Sequence, residues 1–569
     1  MKLVDALVTT LRDWDVGYVF GVSGANIEHV HDAIHRLGGE RLRSVLAKSE
    51  GGAAFMADCR ARVHRTLGIC SATSGGGMMN LAVGIAEAYA ESVPVLALVG
   101  QAPAALEGRG AFQDSSGIGR TVDAIGLWRA MTKLVARIDA GRIFWERLHA
   151  AVTAALSGRP GPAVLLLPRD VYEVEVGPRP RWLPDRLAAL RAPLAPDPAR
   201  VRALHERLAE ARRPVLIAGT GIARSADPGA VVEFAVEAGV PVVTTMGDPG
   251  AFPNDHPLFL GMIGAAGHPS AHAYLAQRAD LIVAVGTGLN VMARSALDRA
   301  LAATPLAVVN VDPGPLLRAF DPELVVEGDA GLVARELRAL HRASPFRAPP
   351  VVGYTLTRHP TPLVGPRPRR PFLRQSEALA ALAEYLPRAR HIVFDAGNCA
   401  AAALHLLPIH RGATSTIALG MGGMGYAIAG AIGAQLGDDP ARGTVVVCGD
   451  GAFLITGLEV HTAVDLGLPI LFVVFNNGRH GMCVTRQQLY FGGRIECSRY
   501  CGVDVAALAR GLGPPDRLWV ARAATVAEVR AALADYHARH AHLPGVLELA
   551  LPVDEVPPFA PFLAAGAAA

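Results

Sequence analysis

The chain has 569 residues, 51% of them hydrophobic and 18% charged, enough apolar material for several buried cores. Its net charge of +3 is small and dispersed, which excludes nucleic acid and acidic membranes as expected partners. Seven cysteines with no CxxC spacing point to structural thiols in a reducing compartment. No apolar run reaches the roughly 20 residues that span a bilayer. MKLVDALVTTLRDWDV reads as an amphipathic helix without a signal peptide's apolar core, so a soluble cytoplasmic protein is expected.

Strands and helices alternate from the start. GYVF (17–20) runs into a loop at 21–24, a helix follows over 27–37, SVLA (44–47) ends just before Glu50, LGIC (67–70) opens into TSGGG, and PVLALVG (94–100) follows the next helix. This rhythm predicts a doubly wound parallel sheet in an N-terminal domain over 1–175. Pro and Arg thicken over 177–213 and mark a linker and the first helix of a new block. PVLIAGTG, PVVTT, DLIVAVG and LAVVNVD then predict a central α/β domain over 190–345. The Pro- and Arg-rich stretch 346–371 is expected to be an extended, exposed connection. The last block, 372–555, holds HIVFD, the glycine-rich helix start GMGGMGYAIAGAIGAQL and a βαβ segment, and the final PFAPFLAAGAAA is expected to fray. The fold class is α/β, with three doubly wound parallel-sheet domains, the first and third sharing one architecture.

The βαβ segment, 445–477, reads as a strand (445–448), a turn through Gly449, Asp450 and Gly451, a helix (456–466) and a strand (469–475), closed by Asn476 and Asn477. A right-handed βαβ unit brings the carboxyl ends of neighbouring strands to one sheet edge, so Asp450 and Asn477 are expected side by side. A carboxylate and an amide oxygen suit Mg2+ carrying a phosphate, and Gly449 and Gly451 let backbone N–H groups approach a diphosphate. Glu50 follows an apolar strand and precedes GGAAFMADCRARV, whose small residues allow close packing, so its carboxylate is expected to face a crevice at a sheet edge. His29, His31 and His35 share one helix with no carboxylate-rich partner stretch and read as structural or substrate-loop residues.

LAKSEGGAAFMADCRARV, SATSGGGMMNLAVGIAEAYAESVPVLALVGQAP and GAFQD, followed by GDG and NN, resemble the thiamine-diphosphate (ThDP) enzymes, and within them the acetolactate synthase large subunits. The resemblance runs from Met1 to about Glu555 and implies pyrimidine-binding, central and diphosphate-binding domains with ThDP and Mg2+ as cofactors. By that resemblance Asp450, Asn477 and the main-chain carbonyl of Arg479 hold the metal. Gly397, Asn398, Cys399, Gly449, Gly451 and Ala452 border the diphosphate, the Gly422 carbonyl accepts from the 4′-amino group, and Met424 wedges between the two rings. Glu50 becomes the carboxylic acid that hydrogen-bonds N1′ and promotes loss of the C2 proton, helped by a pKa that burial raises. Phe112 and Gln113 face the substrate.

The implied reaction decarboxylates a 2-oxo acid, with pyruvate the expected donor, and joins the acyl unit to a second carbonyl compound. It implies a homodimer or homotetramer with active sites between subunits, Glu50 reaching the cofactor of a partner chain. Relatives resembling pyruvate decarboxylase carry a His-His pair and an early Asp, where this chain has Phe112-Gln113 and Ala25-Asn26. That favours capture by a carbonyl over protonation. Non-oxidative decarboxylation is the alternative reading, and an inactive regulatory subunit is one that the intact Glu50, Asp450 and Asn477 argue against. The chain departs from the pattern at Asn398-Cys399, where Gln-His is common, and after Asn477, where His480, Cys483 and Arg486 stand without the usual Trp. It departs again at TGLNVMAR, where the family's FAD-associated stretch bears Arg and Asp. The GTG at 219–221 and Asp312 could still serve FAD.

Overall fold

The computed structural model describes residues 1–364, 367–369 and 371–566; positions 365, 366 and 370 of the expected connection and 567–569 of the expected frayed tail lie outside the described residues. Among the described residues, eighteen strands form three six-stranded sheets, and every neighbouring pair of strands is parallel. The N-terminal sheet holds β1 (Gly17–Gly21), β2 (Leu42–Leu46), β3 (Gly68–Ala72), β4 (Val95–Gln101), β5 (Leu134–Arg137) and β6 (Ala163–Pro168). The central sheet holds β7 (Pro214–Ala218), β8 (Val242–Thr245), β9 (Phe259–Ile263), β10 (Leu281–Val285), β11 (Leu306–Asn310) and β12 (Leu324–Glu327). The C-terminal sheet holds β13 (His391–Phe394), β14 (Thr414–Ile417), β15 (Thr444–Gly449), β16 (Ile470–Asn476), β17 (Trp519–Ala523) and β18 (Gly545–Ala550). Inner strands such as β4 and β10 are buried at every position, the signature of a parallel sheet covered on both faces.

The N-terminal sheet runs β2-β1-β3-β4-β6-β5 and the C-terminal sheet β14-β13-β15-β16-β18-β17, the same order counted within each. The expected shared architecture is therefore a shared topology. In both, the chain leaves the first strand in one direction and returns on its other side, so a crevice opens beyond the carboxyl ends of β1 and β3, and of β13 and β15. The central sheet runs β12-β11-β10-β7-β8-β9 and has its reversal between β7 and β10.

The helices that bear on the site are α1 (Glu50–His64), α2 (Gly76–Ala90), α3 (Asn398–Leu406), α4 (Tyr426–Gln435), α5 (Asp450–Thr456), α6 (Glu459–Leu466), α7 (Gly481–Tyr490) and α8 (Ala560–Gly566). The helix expected over 456–466 is α6, which starts at Glu459, and a further helix, α5, precedes it where a turn was expected. Asp450 starts α5 directly at the end of β15, the Thr456 hydroxyl donates to the Gly425 carbonyl at its end, and α6 begins afresh at Glu459. The tail expected to fray holds α8, whose first residue donates its N–H to the Ala265 carbonyl. The described part of the 346–371 connection contains no helix or regular strand, but is pinned where the Val364 N–H donates to the Asp554 carbonyl.

The chain divides into two compact units, one of Met1–Ala192, Ala418–Pro440 and Thr456–Leu468, the other of Pro193–Ile417, Ala441–Ile455 and the chain from Pro469 onward. Within the first, α1 crosses α4 at glycines: a Cβ on Gly433 would lie 2.0 Å from the Met56 carbonyl oxygen, so only a glycine allows this approach. Of the seven cysteines, all free, Cys59, Cys70, Cys399 and Cys448 are buried packing thiols, whereas Cys497 and Cys501 are exposed and do not fit the structural reading.

Within the second unit, three histidines stack where the β9 loop meets α3. The rings of His268 and His405 lie 4.9 Å apart, and His359 covers His405 at 5.5 Å. His268 Nδ1 accepts from the Met262 N–H while Nε2 faces the His405 carbonyl. His405 Nε2 accepts from the His359 N–H while Nδ1 faces the Ala266 carbonyl. The His268 and His405 rings thus each have one accepting nitrogen and one donating nitrogen, the pattern of neutral imidazole. Burial holds His268 down to about 3 and His405 and the neighbouring His272 down to about 4, with His359 lowered too and Arg358 adding repulsion at His268 and His405. The unfolded chain takes up these protons first, near pH 6.5, so the stack's full stability holds above that pH and is lost as the pH falls toward 4. Urea unfolding should show a loss of about 3 kcal/mol for a ring held near 4. His405→Gln should flatten the slope between pH 6.5 and 4, and an unchanged slope would contradict this account.

Candidate functional site

In the second unit, the crevice beyond β13 and β15 gathers the starts of three helices. Gly397 precedes α3 at φ +92°, a left-handed conformation that favours glycine. Asp450 opens α5, and His480 immediately precedes α7. Pairing of Gly449 with Phe475 sets the ends of β15 and β16 level, so Asp450 meets the turn after Asn477: its Oδ2 accepts from the Gly478 N–H at 2.9 Å and from the Tyr500 hydroxyl at 2.8 Å. Asp450 is 2% exposed, and burial raises its pKa against those donors. The Asn477 amide nitrogen donates to Asp554 at 2.8 Å, and its oxygen accepts from the Arg479 N–H at 3.2 Å.

The backbone leaves room around these groups only because glycine is used. A Cβ on Gly481 would stand 2.8 Å from Asn477 Nδ2 and 3.2 Å from Asn398 Nδ2, and one on Gly451 would stand 2.6 Å from His480 Nδ1. Asn398 is buried, donates one hydrogen bond from its amide nitrogen to the Thr485 hydroxyl, and leaves its side-chain oxygen without a partner. A buried carboxylate, amide oxygens and helix N-termini form an oxygen-rich, electropositive cradle, a donor set that fits a hard divalent cation together with a diphosphate. Ala452 lies buried in the first turn of α5 beside Gly449 and Gly451. Cys399 is also buried, but its thiol, pushed up by burial, donates to the Ala396 carbonyl, which leaves only its backbone for the expected diphosphate loop.

In the first unit, the crevice beyond β1 and β3 holds the other expected residues. Asn26 Nδ2 donates to Ser74 at 2.7 Å, the Asn26 N–H donates to Thr73, and the Thr73 hydroxyl donates to Gln113 Oε1 at 3.3 Å. Gln113 takes a left-handed backbone, φ +58°, while its neighbour Phe112 is 80% exposed. Glu50 opens α1, accepts from Asn80 of α2 at 2.9 Å, and has Gly77 so close that a Cβ there would lie 2.9 Å from Oε1. It is half-buried within the chain. Gly422 stands at φ +66° and Met424 is 39% exposed.

Two buried acids that the sequence reading passed over hold this half together. Glu459, 1% exposed at the start of α6, accepts from the N–H groups of Lys48 and Ser49 at 3.0 Å, just ahead of Glu50. A Cβ on Gly52 would collide with it at 2.2 Å, so the small residues after Glu50 make way for this carboxylate. Glu87, equally buried on α2, accepts from the N–H groups of Gly420 and Met421, the loop that leads to Gly422 and Met424, and receives Arg62 at 3.3 Å. An isolated acid within apolar, small-residue helices (GLEVHTAV, GIAEAYA) is the signal that could have found both.

In the central sheet, a Cβ on Gly219 would meet Thr287 at 2.5 Å and one on Gly221 would meet Gly286 at 2.8 Å, so these glycines serve the packing of the β7 and β10 loops. Asp312 accepts from the Gly314 N–H. The two features that suggested FAD thus each have an internal role.

Comparison with known proteins places these features in context. Residues 1–118 match the thiamine pyrophosphate enzyme N-terminal TPP binding domain, 201–337 the central domain and 395–547 the C-terminal TPP binding domain. The chain is 30% identical over 512 residues to an acetolactate synthase of Mycobacterium leprae (88% of this chain, 78% of that one). It is 29% identical over 516 residues to the acetolactate synthase isozyme 1 large subunit of Escherichia coli K12 (89% and 87%). A solved structure from Mycobacterium smegmatis, described as a thiamin diphosphate-dependent enzyme, shares the fold with a TM-score of 0.80 at 23% identity, covering 97% of this chain and all of that one.

Replacing Glu459 by Ala leaves the Lys48 and Ser49 N–H groups without their acceptor, at about 1–3 kcal/mol for each group that stays buried. Hydrogen exchange should then accelerate at the start of α1 ahead of the rest of that helix. Unchanged protection over 48–52 would contradict the clamp.

Proposed function

The chain belongs to the thiamine pyrophosphate enzyme family, and from that premise we propose that it decarboxylates a 2-oxo acid, with pyruvate the expected donor, and joins the acyl unit to a second carbonyl compound. The observation that carries the reading is the oxygen cradle at Asp450 and Asn477, where helix starts and a buried acid converge at the reversal of the C-terminal sheet. Asp450, Asn477 and the Arg479 carbonyl would hold Mg2+, and the backbone at Gly397, Asn398, Cys399, Gly449, Gly451 and Ala452 would border the diphosphate. Bound ThDP supplies an electron sink for the pair released as CO2 departs.

The chain's own side chains do the rest. Glu50 would hold a proton toward N1′ of the aminopyrimidine, its carboxyl kept turned by the bond from Asn80. The Gly422 carbonyl would receive the 4′-amino group, and Met424 would pack against the cofactor's rings. Substrate selection falls to Phe112 and to the cluster of Asn26, Thr73, Ser74 and Gln113. That cluster supports carbon–carbon bond formation over simple decarboxylation: its members are neutral amides and hydroxyls that bond to one another, and none of the four titrates near pH 7 to deliver a proton.

We assign three domains, a pyrimidine-binding domain over 1–175, a central domain over 190–345 and a diphosphate-binding domain over 372–555, joined by the connection 346–371, and a cytoplasmic location. Among the described residues no helix is long and apolar enough to cross a membrane. The active unit is a homodimer or homotetramer with sites between chains. Support comes from the first unit, where Met79, Val83 and Tyr89 line one exposed face of α2 and Met421, Met424 and Leu458 are exposed as well.

Purified protein given pyruvate, ThDP and Mg2+ should release CO2 and, with an aldehyde or 2-oxo acid acceptor, yield a product carrying the new carbon–carbon bond by mass spectrometry. Aldehyde as the sole product would contradict carboligation. Glu50→Gln should lower turnover at least about 100-fold with thermal unfolding unchanged, and a near wild-type rate would contradict its role.

A further inference from the structure

We propose that Tyr500 and Asp554 are positioning residues of the divalent-ion site, each fixing the orientation of one ligand without binding the ion. The inference rests on the reading that Asp450 and Asn477 hold that ion. A carboxylate can rotate, and an amide presents an oxygen to a cation only when its NH2 group points elsewhere. The structure supplies a separate restraint for each ligand.

For Asp450 the restraint is Tyr500. Its hydroxyl and the Gly478 N–H both donate to Oδ2, at 2.8 and 2.9 Å, and together fix the carboxylate plane. Tyr500 is itself held to the metal loop. Arg499 pairs with Arg479 as an antiparallel bridge, the His480 N–H donates to the Ser498 carbonyl, and the tyrosine ring meets His480 edge-on at 5.4 Å. The 498–500 segment and the 479–480 segment therefore move as one piece.

For Asn477 the restraint is Asp554. Its Oδ1 accepts from Asn477 Nδ2 at 2.8 Å, which settles which way the amide faces and directs the oxygen away from Asp554. Asp554 Oδ2 lies 3.5 Å from the Arg479 guanidinium, whose Nε donates to the Asn477 carbonyl at 2.9 Å. Asp554 is thus engaged on both oxygens with the loop that carries two of the three expected ligands. It reaches that loop because β18 neighbours β16: Asn476 pairs with Ala550, and the Leu551 N–H donates to the Asn476 carbonyl.

The test reads metal binding rather than turnover. Mn2+ is titrated into full-length apoprotein with saturating ThDP, free Mn2+ is followed by electron paramagnetic resonance, and thermal unfolding of each apoprotein controls for folding. Tyr500→Phe and Asp554→Leu should each weaken Mn2+ about 10–100-fold, as loss of a ligand-orienting partner does elsewhere. Asp554→Asn, which keeps an oxygen to accept from Asn477, should recover most of the loss, and this arm stands if the leucine variant does not fold. Wild-type affinity in Tyr500→Phe or in Asp554→Leu, or an Asp554→Asn no better than a folded Asp554→Leu, would overturn the proposal. Equal Mn2+ affinity in wild type and Asp450→Ala would overturn the underlying reading instead.

Discussion

Buried carboxylates bound to main-chain N–H groups hold this protein's loops where the chemistry needs them. Asp450 takes the N–H of Gly478, Glu459 those of Lys48 and Ser49, Glu87 those of Gly420 and Met421, Glu548 that of Ala506 and Glu555 that of Ser376. Taking an ionised carboxylate out of water costs several kcal/mol unless donors replace the lost hydration, so each acid can be buried only while its loop stays in place. The dependence is mutual, since those loops are glycine-rich or lie at helix starts and have N–H groups to give.

The division of labour follows from topology. The N-terminal and C-terminal sheets wind in the same order, and each opens a crevice at its reversal. The C-terminal crevice is furnished with an acid, amides and helix starts, the equipment for a cation and a diphosphate. The N-terminal crevice carries neutral amides and hydroxyls beside one restrained glutamate. One architecture thus presents two differently furnished crevices through the residues of its loops.

Much of this was legible in the sequence, and the reason lies in locality. Strand ends at GDG and NN are marked by apolar runs and glycine turns, so the closeness of Asp450 to the turn after Asn477 follows from one βαβ rule. Glu50 at the first turn of α1 and the glycines packed against it could be read the same way. What could not be read depends on partners far along the chain. The helix expected over 456–466 starts only at Glu459, because α5 already occupies Asp450–Thr456 and ends against Gly425. Cys399 turned onto its own backbone. The bond from Asn80 to Glu50 and the restraints from Tyr500 and Asp554 involve residues 30 to 77 positions away, beyond the reach of any periodicity.

The central claim is that Asp450 and Asn477 anchor the cofactor whereas Glu50 activates it. Exchange of the C2 proton of enzyme-bound ThDP for deuterium, followed by rapid quench and proton NMR, separates the two roles directly. With ThDP saturating, Glu50→Gln should still bind the cofactor yet exchange C2 at least about 100-fold more slowly than the wild type. Equal exchange rates in the two proteins would contradict the account.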